Sequence, residues 1–125
     1  MNVTLRAISA YGKDSTPLRT DRGIEFEIFA RVTRSLTMAS ELGAAGFPKL
    51  VGALHSNRRL WNALAVDVAD SGNGLPKGIR AQIFYLAEFV NEHTRKVLTG
   101  DASVEALSDI NLAIMRGLNA EGQKP

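Results

Sequence analysis

The residues of this 125-residue chain that could do chemistry are few, and each fails on its neighbours. His93 stands beside Glu92, a pairing that could serve a general base, but a lone histidine on an apolar helix face is far more often a packed, hydrogen-bonded residue. The two histidines, His55 and His93, have no His-x-x-x-His or Glu-x-x-His partner, and there is no cysteine. A transition-metal site would therefore lack its usual ligands, and thiolate chemistry and disulfides are excluded. Gly12-Lys13-Asp14-Ser15 has the look of the end of a phosphate-binding loop, but the glycine needed five positions earlier is Ala7 and an acid follows the lysine. Gly72-Asn73-Gly74-Leu75-Pro76-Lys77-Gly78 is glycine-rich and precedes a helix, yet no strand leads into it and Pro76 removes a backbone donor. Asp67 and Asp70 fall at a helix end, where the helix dipole disfavours acids unless Lys77 or Arg80 neutralises them. Asn2-Val3-Thr4 fits a glycosylation sequon, which has no meaning without a secretion signal. No reaction, cofactor or metal is indicated, and the chain is expected to be non-enzymatic.

What remains is a set of polar groups placed where apolar ones belong. Leu50, Leu54, Asn57, Trp61, Leu64, Val68 recur at alternating four-and-three spacing, as do Ile79, Ile83, Leu86, Val90, His93, Val97 and Val104, Leu107, Asn111, Ile114, Leu118. Residues three or four apart share one side of a helix, so Asn57, His93 and Asn111 should face the core or a groove opening into it. Either they hydrogen-bond to one another, to helix ends or to buried water, or Asn57 offers its amide to a bound peptide backbone. Spacing alone leaves both open.

The elements that must position these groups follow from the breakers. Val3 to Tyr11 could form a helix of two turns, and Gly12 to Arg19 reads as a connector. Thr20 or Asp21 can cap a helix carrying Phe29, Val32, Leu36 and Ala39, which Gly43 stops in a left-handed conformation. A second long helix has Pro48 in its first turn and runs to about Asp70, where Ser71-Gly72-Asn73-Gly74 breaks it. Pro76 starts a third that ends at Leu98 and Gly100, and Asp101 or Ser103 caps a last one from about Val104 to Leu118. Asn119 to Pro125 is expected to be a frayed tail. Phe84 and Tyr85 point away from the Ile79–Val97 stripe, with Phe89 at its margin; they suit either a cover by the N-terminal segment or an exposed partner-binding patch.

No segment alternates long enough for a strand. The prediction is an all-α single domain spanning 1–125: a small bundle of four long helices plus a short N-terminal helix, with 1–19 as arm and connector and 119–125 as tail. At 45% apolar residues the chain can build one compact core. No run approaches the roughly 18 apolar residues of a membrane span, and the start lacks a secretion signal, so a soluble cytoplasmic protein is expected. Net charge is only +2, and the pI of 9.2 overstates the basic character, because fifteen Lys and Arg nearly balance thirteen acids. The basic residues sit in scattered pairs such as Arg31 with Arg34, Arg58 with Arg59, and Arg95 with Lys96, which disfavours direct nucleic-acid binding.

Several blocks together carry a family resemblance: Asn57-Arg58-Arg59-Leu60-Trp61; Leu75-Pro76 with Arg80-Ala81-Gln82-Ile83; and Ile110-Asn111 followed by Ile114-Met115-Arg116-Gly117-Leu118. With Ala10-Tyr11 near the start and Phe89-Val90 before His93-Thr94, their order and spacing resemble the bacterial flagellar biosynthesis regulator family FlaF over nearly the whole chain. The Ser71-Gly72-Asn73-Gly74 connector departs from the more acidic, proline-containing segment of that family. The resemblance implies a non-enzymatic role in flagellin production and export, opposite FlbT, a regulator acting on flagellin messenger RNA. It implies binding to flagellin itself, with an adaptor or post-transcriptional role alongside FlbT as the alternative. On that reading Asn57 and Arg58 would anchor a partner beside Trp61 and Leu64, Asn111 with Met115 and Leu118 would form the opposite wall, and Arg59, Arg80 and Arg116 would pair with partner carboxylates at the rim.

Overall fold

The computed structural model describes residues 21–122, with side chains over 26–117. Four long helices account for most of it: α1 (Asp21–Glu41), α2 (Phe47–Ala69), α3 (Lys77–Leu98) and α4 (Glu105–Gly122), with a 3-10 turn, Gly43–Gly46, between the first two. No strand occurs among the described residues. The short N-terminal helix and its connector lie outside them, as does Thr20; Asp21 is already helical.

The breakers act where the sequence put them. Gly43 takes the left-handed φ of 65° that ends α1. Gly46, three residues on, is fixed for another reason: a Cβ there would lie 2.4 Å from Leu42 Cβ and 2.8 Å from the Ala39 carbonyl oxygen, so only glycine lets the corner close. Pro48 occupies the first turn of α2, where its missing N–H has no carbonyl to lose. Pro76 stands one place earlier than expected, just before the first helical residue of α3, and its carbonyl accepts the Arg80 N–H at 3.0 Å.

At the end of α3, Gly100 has a φ of 83°. Its N–H donates to the Val97 carbonyl at 3.1 Å and that of Asp101 to Lys96 at 2.8 Å, which is the Schellman arrangement. Between the two candidate caps of α4, Ser103 takes the role: its Oγ accepts the Glu105 N–H at 3.0 Å. The helix then outlasts its expected end. The backbone stays helical through Gly122, because Asn119, Ala120 and Glu121 include no proline and no glycine to stop it.

Helices α1 and α2 form a hairpin closed by Gly43–Gly46, with the Phe29 and Trp61 rings edge to face at 5.9 Å. Helix α3 runs back along α2, since Arg80 meets the end of α2 and Asn91 meets Asn62 further up. Helix α4 packs on α1. The backbones of α1 and α3 do not approach within 8 Å, nor do those of α2 and α4, and α4 makes only sparse contact with α3. The core accordingly gathers around α2: Val32, Leu36, Leu54, Leu60, Trp61, Val90 and Leu107 are all buried.

Candidate functional site

The α2 stripe is buried as its period requires, and its amide finds a partner in the interior. Asn111 Nδ2 donates to Asn57 Oδ1 at 2.8 Å, and Trp61 Nε1 donates to Asn111 Oδ1 at 2.9 Å. All three side chains are 0% exposed. Helices whose backbones stay apart are thus tied through a chain of indole and two amides. Such a network selects one alignment, because a shift of either helix by a turn would strand its donors in a dry core. Asn57 Nδ2 has no hydrogen-bond partner among the described residues.

The third polar intruder behaves differently. His93 is only half-buried; it stacks on Phe89 at 5.2 Å, and its Nε2 lies 2.8 Å from the Ser103 carbonyl oxygen in the turn before α4. It does not join the two asparagines. The polar residue that α3 turns into the core is Thr94, 1% exposed, whose hydroxyl donates back to the Val90 carbonyl at 2.6 Å. The buried line of α3 is Ala87, Val90, Thr94, Val97, rotated slightly from the predicted stripe.

Of the residues chosen from sequence, Asn57, Trp61, Leu64 and Asn111 are enclosed. Met115 is half-buried and accepts at its sulfur from the Thr33 hydroxyl, 3.9 Å away, which joins α4 to α1. The side chain of Leu118 lies outside the description. Arg58, Arg59 and Arg116 are exposed. Arg58 Nε donates to Asn91 Oδ1 at 3.1 Å, while Asn91 Nδ2 donates to Asn62 Oδ1 at 2.8 Å and to the Ala87 carbonyl at 3.0 Å. Sequence reading missed Asn91; the clue was that Arg58 and Asn62, four apart, share one edge of α2.

Arg80 is a helix cap. Its guanidinium donates to the main-chain oxygens of Val68 and Asp70, at 2.9 Å each, and so satisfies the last carbonyls of α2 at the negative end of its dipole. Asn73 completes the connector, donating from Nδ2 to the Asp67 carbonyl at 2.8 Å and accepting the Leu75 N–H at 2.8 Å. The Ser71–Gly74 connector is therefore stitched by its own asparagine. Among the described residues no group of His, Asp and Glu could hold a metal ion, and no helix is long and apolar enough to cross a membrane.

The accessible apolar surface lies elsewhere, on the first half of α3. Ile79 is 46% exposed and Phe89 37%, with Ile83 and Leu86 between them only half-buried against the core. These four are spaced four, three and three along α3, a helix whose long packing partner is α2. Phe84 and Tyr85, 44% and 69% exposed, flank the row on the outer surface. Ile79, Ile83 and Leu86 belong to the stripe expected from sequence, and Phe89 lies at its margin. A second set of exposed apolar side chains, Met38, Leu42, Phe47 and Val51, surrounds the α1–α2 corner.

The fold and this surface define a class of protein: a small all-α bundle, tied across its core by an internal amide network, with exposed apolar side chains on the first half of α3. No curated protein and no solved structure matches it. The family model of flagellar protein FlaF matches residues 7–118, and the chain belongs to that family.

Proposed function

We propose that this FlaF-family protein is a non-enzymatic, cytoplasmic chaperone of flagellin that couples flagellin supply to export and filament assembly. The observation that carries the reading is the partly exposed row Ile79, Ile83, Leu86, Phe89 on α3, in a chain of the flagellar FlaF family. An amphipathic helix recognises a partner through anchors at i, i+3, i+4 and i+7, and a row of this spacing offers the matching apolar surface. Flagellin awaiting export would lay such a helix against α3. The enclosed residues Asn57, Trp61 and Asn111 serve binding indirectly, by fixing the alignment of α2 with α4. The exposed arginines, Arg58, Arg59 and Arg116, remain candidates for ion pairs outside the apolar contact.

Titrating the protein with soluble flagellin monomer in a calorimeter, at low and at high salt, tests this. Saturable one-to-one binding with little salt dependence is expected, since apolar burial dominates and charge steering is minor. Absence of heat with flagellin, together with binding to FlbT, would overturn the chaperone reading in favour of the adaptor role.

A further inference from the structure

Asn73 is the only asparagine of the chain that is followed by a glycine. Such a pair can react with itself, because the next backbone nitrogen lies within reach of the side-chain carbonyl carbon and glycine has no Cβ to crowd the approach. Hydroxide takes the proton of the Gly74 N–H, and the nitrogen attacks Asn73 Cγ. The new N–Cγ bond closes a succinimide ring, the Cγ–Nδ2 bond breaks, and ammonia leaves with a proton from water, which returns the hydroxide. A second water then opens the ring at either carbonyl carbon, giving aspartate or isoaspartate. No reagent other than water and its ions is consumed.

The α2–α3 connector decides when this chemistry can run. Asn73 is only 8% exposed. Its N–H donates to the Asp70 carbonyl at 3.0 Å, its Nδ2 donates to the Asp67 carbonyl at 2.8 Å, and its Oδ1 accepts the Leu75 N–H at 2.8 Å. The last of these, alone, would favour attack by stabilising negative charge on Oδ1. The others oppose it. The amide cannot swing toward the Gly74 nitrogen, and Nδ2 cannot leave, without giving up the bond to Asp67. Asp67 and Asp70 in the same turn resist the extra negative charge that the deprotonated nitrogen brings. Arg80 closes the turn from the side of α3, with its guanidinium on the Val68 and Asp70 carbonyl oxygens.

We propose that Asn73–Gly74 is a gated deamidation site: inert while the connector is closed, reactive when it opens, and converted to a carboxylate that holds it open. An ionised carboxylate has no proton to donate, so the Asp67 carbonyl loses that donor. The new charge also repels Asp67 and Asp70. Isoaspartate goes further by adding a methylene to the main chain inside a tight turn. The change falls directly before α3, whose first turn carries Ile79, and it is permanent, so it marks each molecule whose connector has opened. Nothing in this depends on the flagellin reading.

Warm incubation of the full chain in mildly alkaline buffer, with and without urea, followed by peptide mass mapping, tests the proposal. In urea Asn73 is expected to convert ahead of every other asparagine, to a mixture of aspartate and isoaspartate. Folded protein should convert at least about tenfold more slowly, since only the open fraction reacts. Equal rates would overturn the gating, and an unreactive Asn73 in urea would overturn the site itself. Gly74→Ala should slow the reaction severalfold in urea, and an unchanged rate there would exclude ring closure through this nitrogen. Arg80→Ala, shown to be folded by circular dichroism, should convert about fivefold faster in buffer and at the parent rate in urea. No acceleration in buffer would overturn the connector as the gate. For the product, Asn73→Asp should speed hydrogen exchange of the main-chain amide at position 73, and unchanged exchange would overturn the claim that the carboxylate holds the turn open.

Discussion

Helices α2 and α3 carry stripes of nearly the same period, yet one is closed from Leu54 onward and the other is half open over its first turns. Along α2, every residue from Leu54 to Val68 in the stripe is buried, including the amide of Asn57. Along α3 burial deepens from Ile79, at 46% exposure, to Val90 at 0%. The cause lies in the neighbours. Helix α2 is flanked by α1 on one side and α3 on the other, whereas α3 has only α2 along its length and α4 near the connecting turn. Apolar periodicity shows which side of a helix avoids water; how much cover that side receives is decided by packing elsewhere in the chain.

The sharpest way to break the contrast is to empty the closed side. Trp61→Ala removes the largest buried side chain and strands Asn111 Oδ1, and a loss of about 3–5 kcal/mol in denaturant unfolding is expected. A loss under about 1 kcal/mol would show that the interior around α2 is not the keystone described. Asn111→Leu should follow, at about 2–3 kcal/mol, because it leaves both the Trp61 Nε1 donor and Asn57 Oδ1 without partners. Asn57→Leu is milder, since it removes a donor that is already unpartnered while orphaning only Asn111 Nδ2. Equal losses from the two substitutions would contradict the direction of the hydrogen-bond chain.

Arg80→Ala comes next, at about 1 kcal/mol, by uncapping the last carbonyls of α2; thermal unfolding beside Arg80→Lys tests it. Lysine cannot reach two carbonyls with a rigid fork, so it should rescue only part of the loss. The smallest effect belongs to the open side. Ile79→Asn should change stability by about 0.5 kcal/mol or less, as a half-exposed apolar residue has little burial to lose. A loss as large as that of a core residue would contradict the open face of α3.

How far the sequence itself disclosed this can be judged from individual residues. Gly43, Pro48 and Gly100 mark helix ends because their backbone chemistry is local, and each acts where it was read. Asn57 and Asn111 were visible as polar groups on apolar sides, but that they meet each other depends on which helices lie across the core, which no local pattern encodes. His93 and Thr94 are adjacent, and a rotation of part of a turn decides which one is buried. Helical period alone is too coarse for that. Arg80 reads from sequence as a charge for nearby acids; that its forked donors also reach the main-chain oxygens of Val68 and Asp70 depends on the geometry of the turn after α2. The exposure of the α3 row was not legible, because a stripe carries no information about the number of its neighbours.

The central claim is that the open face of α3 binds flagellin while the closed interior of α2 only holds the bundle in shape. Flagellin affinity measured by calorimetry for an Ile79→Asn, Phe89→Ser double variant and for Asn57→Leu, each first shown to be folded by circular dichroism, separates the two. The account predicts at least a tenfold weaker complex for the α3 variant, about 1.4 kcal/mol, and unchanged affinity for Asn57→Leu. Unchanged binding by the α3 variant with loss in Asn57→Leu would contradict it and place recognition at the buried amides after all.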